Sequence, residues 1–157
     1  MQPEFTMQLK CEPRFLEFRY PFGISSGSRT STPVVFIRLD HENSSGYGEA
    51  SLPPYLGESH ASVLLFLERA GELLKTVHDP LRIASIMQRI DTLSKGDTAA
   101  KAAIDIALHD LAGKIMKQPC HTLFGLNKNE TPFSTYTIGI GDEDVLEKSI
   151  RHVRHSK

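Results

Sequence analysis

VVFIRLDHENSSGYGEA, Val34 to Ala50, is the stretch on which the fold turns. Val34–Leu39 is β-branched and apolar, the composition of a buried strand. Asn43-Ser44-Ser45-Gly46 is a turn signal, and Gly46–Ala50 resumes a short strand. The two strands are expected to form a hairpin. Upstream, Phe5–Phe18 reads as extended, with Met7, Leu9 and Cys11 alternating against Thr6, Gln8 and Lys10. Pro13 marks a bulge or an edge position there. Pairing this first strand with the hairpin gives an antiparallel meander of three strands.

Beyond the meander the apolar period changes to that of helices. Between His60 and Val77, residues Val63, Phe66, Leu67, Ala70, Leu73, Leu74 and Val77 recur at helical spacing. Asp79-Pro80 supplies an N-cap and a proline for a second helix marked by Ile83, Ile86, Met87, Ile90 and Leu93. Asp97 or Thr98 caps a third, AAKAAIDIALHDLAGKIM, which runs to about Lys117 before Pro119 ends it. Its Ala99, Ala103, Ile106, Ala107, Leu111 and Ile115 share a face, and the small side chains allow a neighbour to approach closely. The fold class is therefore α+β. A last region begins near Thr131: Phe133–Ile140 (FSTYTIGI) reads as a strand. Asp142–His155 reads as an amphipathic helix with Val145, Leu146, Ile150 and Val153 inward. A strand followed by a helix is half of a βαβ unit and needs a parallel partner strand.

Composition narrows the function classes. The chain has 157 residues and a formal net charge of −1, which gives no general attraction to nucleic acid or anionic membrane. No stretch approaches the roughly 20 apolar residues of a membrane span, and no apolar run of signal length opens the chain. Cys11 and Cys120 lie far apart without metal-type spacing and are expected as reduced thiols of a cytoplasmic protein.

Two glycine-punctuated loops are the candidate working parts: PFGISSGSRTS, Pro21–Ser31, and GYGEASLPPYLGES, Gly46–Ser59. Small residues mixed with bulky or charged ones suit a flap that closes over a small polar ligand. Arg29 is the permanent cation of the first flap, and a guanidinium can hold a carboxylate through two parallel hydrogen bonds. Glu49 is read as a loop-anchoring carboxylate or an acid/base group. Phe22, Tyr55 and Leu56 are read as pocket walls or as core. Thr137 lies on the last expected strand. The serines of the first flap lack a GxSxG elbow, and SSGSR lacks the Lys-Ser/Thr ending of a P-loop. Asp105 and His109 read as a solvated or interfacial pair rather than a metal site, and His152 and His155 as charge complementing a helix C-terminus.

The succession PFGISSGSRTS, VVFIRL, GYGEASLPPYLGES, AAKAAIDIALHDLAGK and YTIGI resembles the enolase superfamily. It looks most like the dipeptide epimerases of the L-Ala-D/L-Glu type in the muconate-lactonizing subgroup. The resemblance implies a capping domain over residues 1–130 and the start of a truncated (β/α)₇β barrel over 131–157, with YTIGI as the first barrel strand. It implies two flaps, near 21–31 and 50–58, that close on a dipeptide. Thr137 and Phe22 match substrate-lining positions, and Arg29 and Tyr55 are carried as further substrate-binding candidates. The family's acid/base lysines and its Mg²⁺ ligands lie on later barrel strands and match no residue here, with the KxK motif expected a few residues after Lys157. The resemblance thus implies the N-terminal, lid-bearing part of a Mg²⁺-dependent, homo-oligomeric isomerase that racemises by α-proton abstraction, inactive by itself. Other readings remain open: another enzyme of the subgroup, such as a cycloisomerase or o-succinylbenzoate synthase, or a stand-alone binding module without chemistry.

Overall fold

The computed structural model describes residues 6–25 and 27–155, apart from the side chains at 145, 152, 154 and 155. Contacts divide the chain into two compact units, Met1–Arg14 with Pro33–Lys128 and Phe15–Thr32 with Asn129–Lys157. A three-stranded sheet of order β1-β2-β3 is built from β1 (Gln8–Ile24), β2 (Gly27–His41) and β3 (Ser44–Ser51). Pro13 is in β1, an edge strand, where a missing N–H is tolerated.

In the first unit β2 and β3 pair antiparallel, His41 opposite Ser44 and Val35 opposite Ala50. The turn is thus Glu42-Asn43, earlier than the sequence suggests, with Glu42 at a φ of 50°. Gly46 is consequently a strand residue, paired with Leu39, and not part of the turn. Val35, Ile37 and Leu39 point into the core with Gly46, Gly48 and Ala50, while Phe36, Arg38 and Tyr47 lie on the other face.

Helices α1 (His60–Leu74), α2 (Ile83–Asp91) and α3 (Thr98–Met116) cover the core face. The backbone of α3 lies directly on β3. A Cβ on Gly48 would stand 2.1 Å from Ala103 O, and one on Gly46 2.1 Å from Ala107 O. The small-residue face anticipated for α3 is therefore in use, with a wider arc than expected: Ile104 and Leu108 are fully buried, whereas Ile106 is 50% exposed. A helix packed on a sheet and on other helices buries two flanks, and Ile106 lies outside both.

Helix termini differ in detail from the sequence reading. α1 stops at Leu74 instead of Val77, because the chain tightens there, Thr76 N to Leu73 O and Val77 N to Leu74 O. Asp79 does not cap α2: its carboxylate accepts from Leu81 N at 3.0 Å and shapes the preceding turn. Asp97 holds the N-cap position of α3, at a φ of 57° and with its C=O accepting from Lys101 N, but its side chain caps no helix N–H. That role falls to the remote Glu58, whose carboxylate accepts from Ala99 N at 3.2 Å and Thr98 Oγ1 at 2.8 Å. At the far end, Lys117 takes a left-handed φ of 52° and Gln118 N returns to Gly113 O at 2.8 Å, so α3 ends before Pro119. A short α4 (Cys120–Leu123) follows. Cys11 and Cys120 are free thiols.

In the second unit the distal parts of β1 and β2 form a hairpin arm, and α5 (Glu143–His155) matches the expected helix. Phe133–Ile140, expected as a strand, forms no ladder. Strand geometry is stabilised by a neighbour in register, and no parallel neighbour for it occurs among the described residues. Within α5, Leu146 and Val153 are half-buried as anticipated, but Ile150 is 40% exposed and Ser149 is buried instead. The expected inward Val145 and the readings of His152 and His155 concern side chains outside the described residues.

Candidate substrate groove

The first flap is a β-hairpin, not a loop. β1 continues to Ile24 and β2 begins at Gly27, so most of Pro21–Ser31 is strand. This arm and the segment around Thr137 meet through two glycines. Ile140 N donates to Gly23 O at 2.7 Å. A Cβ on Gly23 would fall 2.0 Å from Ile140 O, and one on Gly139 2.8 Å from Gly23 N. Only residues without side chains allow that approach.

The contact encloses one side of a groove of about 430 Å³ in the second unit. Leu16, Phe18, Tyr20, Phe22 and Tyr136 supply its apolar and aromatic lining; Glu17, Arg19, Thr32, Thr137 and Ser149 supply the polar groups. An apolar groove with few polar groups is the usual form of a small-molecule site. Two of the sequence-derived candidates, Phe22 and Thr137, thus line one groove although they stand far apart in the chain.

The other two do not line it. Arg29 is half-buried and rests on the wall from outside the lining set, its guanidinium carbon 5.8 Å from the centroid of Phe18. Its Nη1 is buried and makes no hydrogen bond among the described residues. Tyr55 belongs to the first unit, on a 3₁₀ turn at Pro54–Leu56, and is 83% exposed. Glu49 pairs opposite Phe36 on the sheet face away from the helices.

Arg19, Glu17 and Ser149 are lining residues that sequence reading passed over. The first two lay within or beside a strand expected to stop at Phe18. Ser149 is an ordinary polar residue of an amphipathic helix until its burial is seen.

No group of three His, Cys, Asp or Glu side chains that fits a metal ion occurs among the described residues. His109 instead bonds within its helix, Nδ1 2.9 Å from Asp105 O, and its ring lies 5.1 Å from that of Phe124. Asp110 accepts from Tyr47 N at 2.8 Å and Lys114 Nζ at 2.7 Å, tying α3 to β3. No helix is long and apolar enough to cross a membrane among the described residues.

Residues 7–125 match the N-terminal domain of the mandelate racemase / muconate lactonizing enzyme family. The chain belongs to that family. Its meander and helices are the capping-domain architecture of the enolase superfamily. It is 46% identical, over 89% of its length, to an L-Ala-D/L-Glu epimerase of Bacteroides thetaiotaomicron. It is 33% identical, over 82%, to an L-Ala-D/L-Glu epimerase of Escherichia coli. A dipeptide epimerase of Enterococcus faecalis, solved with Mg and the dipeptide L-Leu-L-Tyr, superposes on 96% of this chain with a TM-score of 0.84 at 28% identity. The chain spans 36% of the first of these relatives, 38% of the second and 43% of the third.

Proposed function

We propose that this chain is the lid-bearing N-terminal part of a dipeptide epimerase, with residues 1–130 as the capping domain and 131–157 as the opening of the barrel. The observation that carries the reading is the shared groove of Phe22 and Thr137, the two positions that the resemblance marks for substrate contact. The kinship with proteins named L-Ala-D/L-Glu epimerase supports the reaction class. Following the resemblance, we assign the metal and the acid/base lysines to later barrel strands; no group of three side chains that fits a metal ion occurs among the described residues.

On this reading the chain binds and orients. Phe22 packs against the dipeptide and keeps water from the α-carbon, where a proton must leave one face and return to the other. The Thr137 hydroxyl offers a hydrogen bond that fixes the backbone of the substrate. Arg29 supports the wall through Phe18, and its Nη1, without a hydrogen bond among the described residues, has spare capacity for a carboxylate. Tyr55, exposed on the second flap, is kept as a further candidate for substrate contact.

The decisive measurement uses the full-length protein with Mg²⁺ and L-Ala-L-Glu in D₂O. Deuterium is expected at the α-carbon of the C-terminal residue, with formation of the D epimer. No exchange across a broad dipeptide panel overturns the assignment. The 157-residue chain alone is expected to give no turnover, and turnover by it overturns the division of labour. Arg29→Ala in the full-length protein is expected to raise KM for acidic dipeptides selectively; an unchanged preference removes Arg29 from specificity.

A second reading has its own observation. The rings of Phe18, Tyr20, Phe22 and Tyr136 line the groove, which favours an apolar dipeptide. The ratio of kcat/KM for L-Ala-L-Glu to that for L-Leu-L-Tyr decides between them.

A further inference from the structure

Three consecutive residues, Glu58, Ser59 and His60, each hold a different part of the first unit. Glu58 caps α3 through Thr98 and Ala99. Ser59 opens α1 with a capping box: its hydroxyl accepts from Ser62 N at 3.2 Å and its N–H donates to Ser62 Oγ at 2.9 Å. His60 reaches the sheet, its Nε2 3.1 Å from Arg14 O and 3.0 Å from Val34 O. A ring nitrogen facing two carbonyls must be the donor, so Nε2 carries the proton and shares it in a three-centre bond.

The position of those carbonyls matters. Arg14 is the last β1 residue of the first unit, and Val34 follows Pro33, the residue at which β2 re-enters it. The imidazole therefore ties the two strands at the root of the hairpin arm. The second flap is tied to the same place. It begins where Leu52 N donates to Pro33 O at 3.0 Å, and it ends at Glu58 and His60. Between these anchors only Pro53–Gly57 stands clear, with Tyr55 and Leu56 exposed and Gly57 at a φ of 68°.

We propose that His60 is a positioning residue, the common anchor of the two strands from which the first flap extends and of the end of the second flap. It touches no substrate. It holds the Arg14 and Val34 strands together and fixes the end of the second flap with one side chain. The word flap rests on the function proposed above; the shared anchoring does not, and it is measured without substrate.

The test is amide hydrogen exchange on His60→Ala and His60→Gln. With His60→Ala, exchange is expected to rise about 10-fold in Phe15–Ile24 and in the Leu52 and Tyr55–Gly57 amides, while Ala103–Leu111 of α3 stays unchanged. His60→Gln, which keeps an N–H donor, is expected to restore protection in both segments. Faster exchange in one segment only, in neither, or equally in α3 overturns the proposal. The unmodified protein gives an independent reading whatever the variants do. Its ¹⁵N spectrum at pH 8 is expected to show the His60 proton on Nε2, and a proton on Nδ1 overturns the anchor.

Discussion

Asp40 and Gly48 show how much single positions carry. The Asp40 carboxylate is partly desolvated, which by itself raises its pKa, yet hydrogen bonds from Ser45, Lys10 and Arg38 outweigh that and hold it at about 2. A depressed carboxylate stabilises the fold fully above its unfolded value near 3.8 and loses that contribution as pH falls through 2. Asp40→Asn is therefore expected to cost about 1–2 kcal/mol at pH 7, with the gap from the parent protein closing between pH 4 and pH 2 in urea titrations. A gap independent of pH rejects this account. Gly48 acts through contact and not charge. Gly48→Ala forces a methyl into the carbonyl of Ala103 and is expected to cost about 3 kcal/mol or more. Gly96→Ala, which meets nothing within 4 Å, is the control and is expected to leave thermal stability nearly unchanged. The sequence shows both residues, but their meaning comes from partners distant in the chain. Gly48 reads as loop punctuation until α3 is laid upon it.

At the scale of elements, helix interiors were legible and their ends were not. The apolar period of α1, α2 and α3 is a local property and survives folding. The cap of α3 is not local: a carboxylate some 40 residues away accepts from the Ala99 N–H and the Thr98 hydroxyl. Glu58→Ala is expected to destabilise the protein by about 1–2 kcal/mol and to speed exchange at Thr98–Lys101 first. Glu58→Gln, retaining an acceptor, is expected to lose about half as much. Uniform acceleration along α3 counts against a capping role. The first flap teaches the same lesson in reverse. Its glycines and serines suggest a loop, whereas pairing between β1 and β2 extends the strands to Ile24 and from Gly27.

Across the molecule, apolar surface is unevenly disposed. Phe133 is fully exposed, Ile140 70% and Tyr136 52%, all within one short segment. Apolar clusters of that kind associate. The 157-residue chain is expected to self-associate as concentration rises in sedimentation velocity, and Phe133→Ser with Ile140→Ser to shift it toward monomer. A monodisperse monomer at all concentrations rejects the expectation. The order of segments, PFGISSGSRTS through YTIGI, was enough to mark the family, because order and spacing record a fold even when each piece is only moderately distinctive. The sequence by itself determined the meander and the helices, since these follow from local period and side-chain size. The tertiary structure alone decided that Phe22 and Thr137 share a groove, that Arg29 rests against its wall, and that Glu58 and His60 anchor distant elements. Those relations join groups far apart along the chain, and no local pattern of residues encodes a distance.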